Sequence, residues 1–182
     1  MPDPKEAWAF LESSDPISSA EEVQAAIARI ASEIEARLAK TYPLVLVVMG
    51  GAVVFAGQLL PRLRFPLDLD YVHLSRYGAA TRGTAVQWRV KPDESVRGRT
   101  VLVVDDILDH GETLRAIRDG LLEMGAQAFY SAVLVEKDLG RRKPLAADFV
   151  GLRISDRFVF GCGMDAKGFW RNLPEIRAMR ES

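Results

Sequence analysis

The sequence predicts an α/β fold: a mainly parallel, twisted sheet flanked by helices, with a small cap formed by N- and C-terminal segments. Three observations predict it. Two apolar runs rich in β-branched residues, LVLVVM and VLVV, are continuous rather than alternating, as strands covered on both faces are. Amphipathic helical segments alternate with the strand segments, the pattern of a parallel sheet. Near residue 148 the rhythm stops, and short strands and turns replace it.

Taken in order, residues 1–17 read as a loosely held N-terminal arm, and residues 18–182 as a single domain whose residues 148–182 contribute the cap. The opening MPDPKEAWAF is acidic and proline-containing, unlike a secretory signal. SSAEEVQAAIARIASEIEARLA predicts a helix. Ser18/Glu21 and Ser19/Glu22 each offer a capping box, and Val23, Ile27, Ile30, Ile34 and Leu38 form one apolar stripe. LVLVVM predicts a buried strand and GAVVFAGQLLPRL the helix after it. The uncharged stretch 43–60 is long enough to suggest a membrane span, but Gly50 and Gly51 divide it into strand, turn and helix. No membrane association is expected.

LDLDYVHL alternates and predicts a second strand. SRYGAATRGT predicts a mobile loop, and AVQWRV a strand returning from it. RGRTVLVVDD enters another buried strand near Thr100. GETLRAIRDGLLEMGA predicts a helix with Leu114, Ile117, Leu121 and Leu122 inward and Gly125 as its stop. QAFYSAVLVEK predicts the last long strand.

At 182 residues the chain can bury one real core. Its 24 Lys+Arg against 25 Asp+Glu leave no basic excess, so no nucleic-acid partner is expected. The single cysteine, Cys162, cannot form an internal disulfide; it reads as a small buried hydrophobe in a cytoplasmic protein.

The stretch VLVVDDILDHGETL concentrates the chemistry. Asp105, Asp106 and Asp109 spell D-D-x-x-D, the letters with which helical prenyl-diphosphate enzymes hold magnesium diphosphate. Here a β-branched run precedes the acids and Gly111 follows, so they sit at a strand end. A phosphoacceptor receiver domain would need more chain after the pair. A solvated turn with Asp109 as helix N-cap remains open. The fourth reading is a sugar-phosphate site. Ligands of open α/β sheets bind at the carboxyl ends of strands. Two carboxylates there can hold a diol. The following helix N-terminus favours a phosphate, Gly111 permits close approach, and Thr113 offers a hydroxyl.

These residues resemble the phosphoribosyl-diphosphate (PRPP) signature of type I phosphoribosyltransferases. LVVMGGAVVFAGQLL, LDLDYVHLSRYG, LVEK, DFVG, FVFGCGMD and FWRNLPEI resemble, in order, further motifs of the 6-oxopurine branch, the hypoxanthine-guanine phosphoribosyltransferases. The resemblance implies the type I fold and purine salvage: hypoxanthine or guanine plus PRPP giving the nucleoside 5′-monophosphate and pyrophosphate, with Mg²⁺ as cofactor. It implies that Asp105 and Asp106 bind the ribose hydroxyls directly or through Mg²⁺, and that Asp109 is the general acid/base at N7 of the purine. His110, Gly111, Glu112 and Thr113 would cradle the 5′-phosphate, with the Glu112 carboxylate turned to solvent. Lys137 would bond the 6-oxo oxygen, Phe158 would stack on the base, and the Val159 backbone would read its edge. Asp165 would line the purine site and hold a second Mg²⁺. Arg171 would hold pyrophosphate. Met49, Gly50 and Gly51 would supply backbone groups to it, through a non-proline cis peptide. Tyr77 would close over the reacting atoms on the mobile loop. A homodimer or homotetramer is usual in that family.

Outside the resemblance each residue has a plainer reading: Lys137 as a solvated lysine, Phe158 as core, Asp165 with Arg171 as a structural salt bridge, Tyr77 as an ordinary loop residue. The sequence also departs from the pattern. Met49 stands where many relatives carry a basic residue, Arg76 replaces a usual serine, and His110 replaces the common Ser or Thr. Two further readings stay open: a xanthine-preferring enzyme, and a non-catalytic regulator that senses nucleotides and binds RNA.

Overall fold

The computed structural model describes residues 3–76 and 86–180. Six strands form the main sheet, in the order β4-β3-β2-β5-β6-β7. They are β2 (Leu44–Met49), β3 (Asp68–Arg76), β4 (Val86–Val90), β5 (Thr100–Leu108), β6 (Ala128–Asp138) and β7 (Phe149–Ser155). All pairings are parallel except β3 with β4, which is antiparallel, as a strand returning from a loop must be. The uncharged stretch 43–60 is strand β2, a turn, and helix α3 (Val53–Leu59). No helix among the described residues is long and apolar enough to cross a membrane.

Helix α2 (Ala20–Leu38) starts at Ser19, where the hydroxyl accepts from the Glu22 N–H and the Glu22 carboxylate accepts from the Ser19 N–H. Of the two possible boxes, this one forms. Its predicted stripe of Val23, Ile27, Ile30, Ile34 and Leu38 is fully buried. Each such side chain contributes roughly 1.5–3 kcal/mol by leaving water. Where α2 meets β7, Gly151 is required: a methyl there would press on the Leu134 carbonyl and the tip of Ile30. Helix α4 (Glu112–Glu123) buries Leu114, Ile117 and Leu121, but Leu122, expected inward, is 46% exposed. Successive helical residues point about 100° apart, so Leu121 and Leu122 cannot both face the sheet.

The largest departure concerns residues 1–17. From residue 3 onward the expected arm is folded: helix α1 (Pro4–Glu12) leads into β1 (Ser14–Ser18), which pairs antiparallel with β9 (Ile176–Met179). The Asp3 carboxylate caps α1 by accepting from the Lys5 N–H, and Pro4 occupies the first turn, where its missing donor costs nothing. With β8 (Val159–Phe160) these strands form a separate sheet, β1-β9-β8. The cap therefore combines both ends of the chain.

Candidate active site

Chain order sets the site. From β2 the chain crosses through α3 to β3 on one side; from β5 it crosses through α4 to β6 on the other. Right-handed crossovers in opposite directions put α3 and α4 on opposite faces. A crevice opens between the carboxyl ends of β2 and β5, the usual ligand position in such sheets. Residues Met49, Gly50 and Gly51 leave one wall; residues 105–113 leave the other. The ladder between the two strands ends at Val47 and Val104, so the chains separate there.

The Met49–Gly50 peptide is cis, as expected. Gly51 is packed against the Asp106 carboxyl so closely that an added methyl would overlap it. Asp105 and Asp106 lie within β5, which runs on to Leu108, rather than at its last residue. Asp105 is 9% exposed, and its carboxylate accepts from the Asp106 N–H at 3.0 Å. Burial raises the Asp106 pKa above the usual carboxylate range. Hydrogen bonding from Asp105 and backbone N–H groups, and the nearby Arg171 charge, pull the other way.

Asp109 is not a helix cap. The N-cap of α4 is Gly111, at φ 87°, and no side chain caps the helix. Its first-turn N–H groups point where an anion is favoured. A methyl on Gly111 would crowd the Leu145 carbonyl and Pro144, so glycine serves both the backbone angle and the packing. Glu112 is exposed and Thr113 half-buried. His110 Nδ1 lies 3.2 Å from Asp109 Oδ1, and Lys137 Nζ lies 3.6 Å from it. Neither contact has hydrogen-bond geometry: Asp109 Oδ1 is buried and accepts no hydrogen bond. The Lys137 side chain is only 12% exposed, which excludes a freely solvated lysine; its second neighbour is Asp156, at 3.4 Å.

The cap closes the crevice. Phe158 is 54% exposed, so it is not core. Its carbonyl accepts from the Met179 N–H. In an antiparallel ladder the hydrogen-bonded rungs alternate, so Val159, opposite Ala178, turns its N–H and C=O away from β9, toward the open edge. Arg171 donates to the Gly163 carbonyl at 2.6 Å and to Asp165 Oδ1. Asp165 Oδ2 accepts from the Gly168 N–H at 2.7 Å. The salt bridge contemplated for Asp165 and Arg171 is thus present. Asp165 does not join Asp105 and Asp106: among the described residues no three potential ligands converge on one metal position. Tyr77 lies outside the described residues. Cys162 is buried, its thiol donating to the Pro174 carbonyl; burial, aided by Glu175, pushes its pKa up to about 11, far from a nucleophile's.

Sequence reasoning missed three participants. Gly163, at φ 103°, abuts the Gly51 carbonyl and leaves no room for a side chain between cap and crevice. Trp170, at φ 66° beside Arg171, donates its indole N–H to the Ala7 carbonyl of α1 at 2.7 Å. Lys143 reaches two backbone carbonyls at the site's rear. The two glycines of FVFGCGMD were a readable turn signal; Trp170 depends on a contact 163 positions away and Lys143 on backbone carbonyls that no motif marks.

A family profile described as phosphoribosyl transferase domain matches residues 13–167. The hypoxanthine-guanine phosphoribosyltransferase of Bacillus subtilis (strain 168) is 32% identical over 163 residues, 89% of this chain and 91% of that protein. The chain belongs to the hypoxanthine-guanine phosphoribosyltransferase family.

The Aquifex aeolicus (strain VF5) hypoxanthine-guanine phosphoribosyltransferase is also 32% identical, across 86% of this chain and 89% of its own. Among solved structures, a hypoxanthine-guanine phosphoribosyltransferase from Bacillus anthracis superposes with TM-score 0.82 at 30% identity, covering 90% of this chain and 96% of that one. A Staphylococcus aureus hypoxanthine phosphoribosyltransferase gives 0.86 at 27% identity, covering 94% and 95%. The fold is the type I phosphoribosyltransferase fold. The profile match starts after α1 and stops before Arg171, so the contact between α1 and the Arg171 turn lies outside it.

Proposed function

We propose that this phosphoribosyltransferase transfers the 5-phosphoribosyl group of PRPP to hypoxanthine or guanine, giving IMP or GMP and pyrophosphate. One observation carries the base: a buried Asp109 oxygen that accepts no hydrogen bond, 3.6 Å from the Lys137 ammonium. A buried acceptor of this kind calls for a donor. A 6-oxopurine presents N7 and O6 side by side on one edge. Protonated at N7, that edge is donor then acceptor, the complement of Asp109 then Lys137. The exposed ring of Phe158 supports stacking on the base, and the outward backbone of Val159 supports reading of its far edge.

N9 then attacks C1 of the ribose, the C1–O bond to pyrophosphate breaks with its electrons on pyrophosphate, and the N7 proton passes to Asp109. Asp105 and Asp106 would hold the ribose hydroxyls. Backbone N–H groups of His110, Gly111, Glu112 and Thr113 would hold the 5′-phosphate, with the exposed Glu112 carboxylate clear of it. Met49, Gly50, Gly51 and Arg171 would hold pyrophosphate, and Tyr77 would close over the reacting atoms. Mg²⁺ takes one or two carboxylates and completes its shell with phosphate oxygens and water. Asp105 and Asp106 fit that pattern; Asp165 accepts one hydrogen bond on each oxygen, from Arg171 and Gly168, and keeps lone pairs with which it would serve. When bound, the ion neutralises charge on the leaving group.

A homodimer or homotetramer in the cytoplasm is proposed with this reading. Leu69 and Tyr71, 57% and 45% exposed, share one face of β3 and support a subunit contact there. The deciding experiment incubates the protein with PRPP, Mg²⁺ and each of hypoxanthine, guanine and xanthine, resolving nucleotides by chromatography. IMP and GMP are expected. Xanthine turned over best would shift the substrate, and no nucleotide from any base would overturn the assignment.

A further inference from the structure

Lys143 lies between β6 and β7, yet its side chain is only 8% exposed. Its ammonium donates to the main-chain carbonyls of Leu108 at 3.0 Å and Lys137 at 2.5 Å, and to Glu136 Oε1 at 3.4 Å. An ammonium has three donors and no acceptor, and three oxygens meet them. Glu136 is itself held by Arg153 at 3.1 Å.

The partners are significant because of where the sheet stops. The parallel ladder of β5 with β6 ends at Leu108 opposite Glu136. One step further, the register would set Asp109 opposite Lys137. The lysine occupies the position of the next rung, tying the residue before Asp109 to Lys137 itself. The same segment also braces the turn from behind: the Leu145 carbonyl, Pro144 Cδ and Lys143 Cβ stand 3.3, 3.4 and 3.5 Å from the Cβ position of Gly111.

We propose that Lys143 is a positioning residue, whose ammonium staples the ends of β5 and β6 and holds Asp109 and Lys137 at the spacing a 6-oxopurine edge requires. This rests on the purine reading of that pair. Lys143 touches neither substrate; it acts through two backbone carbonyls. Small misplacements of reacting groups are expensive, on the order of 100-fold in rate for about 1 Å.

The test compares wild type, Lys143→Met, Lys143→Gln, Lys137→Met and the Lys143→Met/Lys137→Met double variant. It measures kcat and KM for hypoxanthine, the dissociation constant for PRPP, and Tm. Lys143→Met is expected to lower kcat/KM for the base on the order of 10- to 100-fold while leaving PRPP binding unchanged. Lys143→Gln, which keeps a donor, should fall between. Because Lys143 acts through Lys137 and Asp109, its loss should cost far less in the Lys137→Met background than in wild type. Equal costs in both backgrounds, or parallel loss of base affinity, PRPP affinity and Tm, overturn the proposal. So does failure of both single Lys143 variants to fold, which would make the lysine a folding requirement. An active wild type with an unperturbed Lys143→Met removes this inference alone. An inactive wild type removes the purine reading and this inference with it.

Discussion

Asp109 and Asp106 are neighbours with opposite demands. Asp109 is expected to exchange a proton with the base, so Asp109→Asn should reduce kcat about 10²- to 10⁴-fold, the usual span for a general acid/base, while PRPP binding changes little. Steady-state kinetics beside PRPP titration checks this; equal loss of both would mark Asp109 as structural. Asp106 instead costs the free protein stability. Its pKa is raised by burial, so the folded form keeps its proton to higher pH than the unfolded chain does. Stability is therefore lost as pH rises from the ordinary carboxylate value of about 3.9 to the raised one, and stays lost above it. Asp106→Asn should raise Tm at pH 7, the gain fading near pH 4, and should weaken PRPP binding. Calorimetry at the two pH values would reveal this; an unchanged Tm at pH 7 would contradict it. The acid run itself was legible because charge crowding at a strand end is uncommon without a ligand. Lys143 was not legible, since its partners are carbonyls that every residue carries.

Among the elements, those with strong periodicity were read correctly. The stripe of α2 and the apolar runs of β2 and β5 are one-dimensional records of burial. Helix α1 left no such record: none of its residues is buried. It is held by sparse contacts instead. Trp8 meets Trp170 edge to face at 5.0 Å, and Phe10 meets Phe160 likewise at 6.1 Å. Such a ring pair contributes about 0.5–1.5 kcal/mol. Trp8→Ala should therefore lower Tm by a few degrees, roughly 2–4 °C per kcal/mol at this chain length. Thermal unfolding followed by fluorescence would register it, and an unchanged Tm would show that α1 does not clasp the Trp170 turn. Leu122 failed for a different reason: composition placed it inward, but only the three-dimensional phase of α4 decides between adjacent leucines.

For the whole molecule, the topology was legible wherever the α/β rhythm held, and the cap was legible only as a break in that rhythm. The pairing of β1 with β9 that completes it joins residues more than 150 positions apart, Ser14 with Met179 for example. Local propensity carries no information about such partners. The outer face of β3 makes the remaining prediction. If Leu69 and Tyr71 are covered by a second subunit, replacing both with Asp should convert an oligomer to a monomer in light scattering after gel filtration. An oligomer unchanged by both substitutions would place the contact elsewhere.

The seating of β9 between β1 and β8 has a consequence for synthesis. Strands are made in order, and the central strand of the cap, β9, follows every other described strand. A growing chain can complete its crevice, its aspartates and its lysine and still lack the finished cap wall beside Phe158, where the base is proposed to stack. Long-range closures of this kind come late, because the intervening chain must be ordered first. Base binding should therefore begin only when β9 has emerged from the ribosome, which makes the onset of that binding a clock for the closing of the cap.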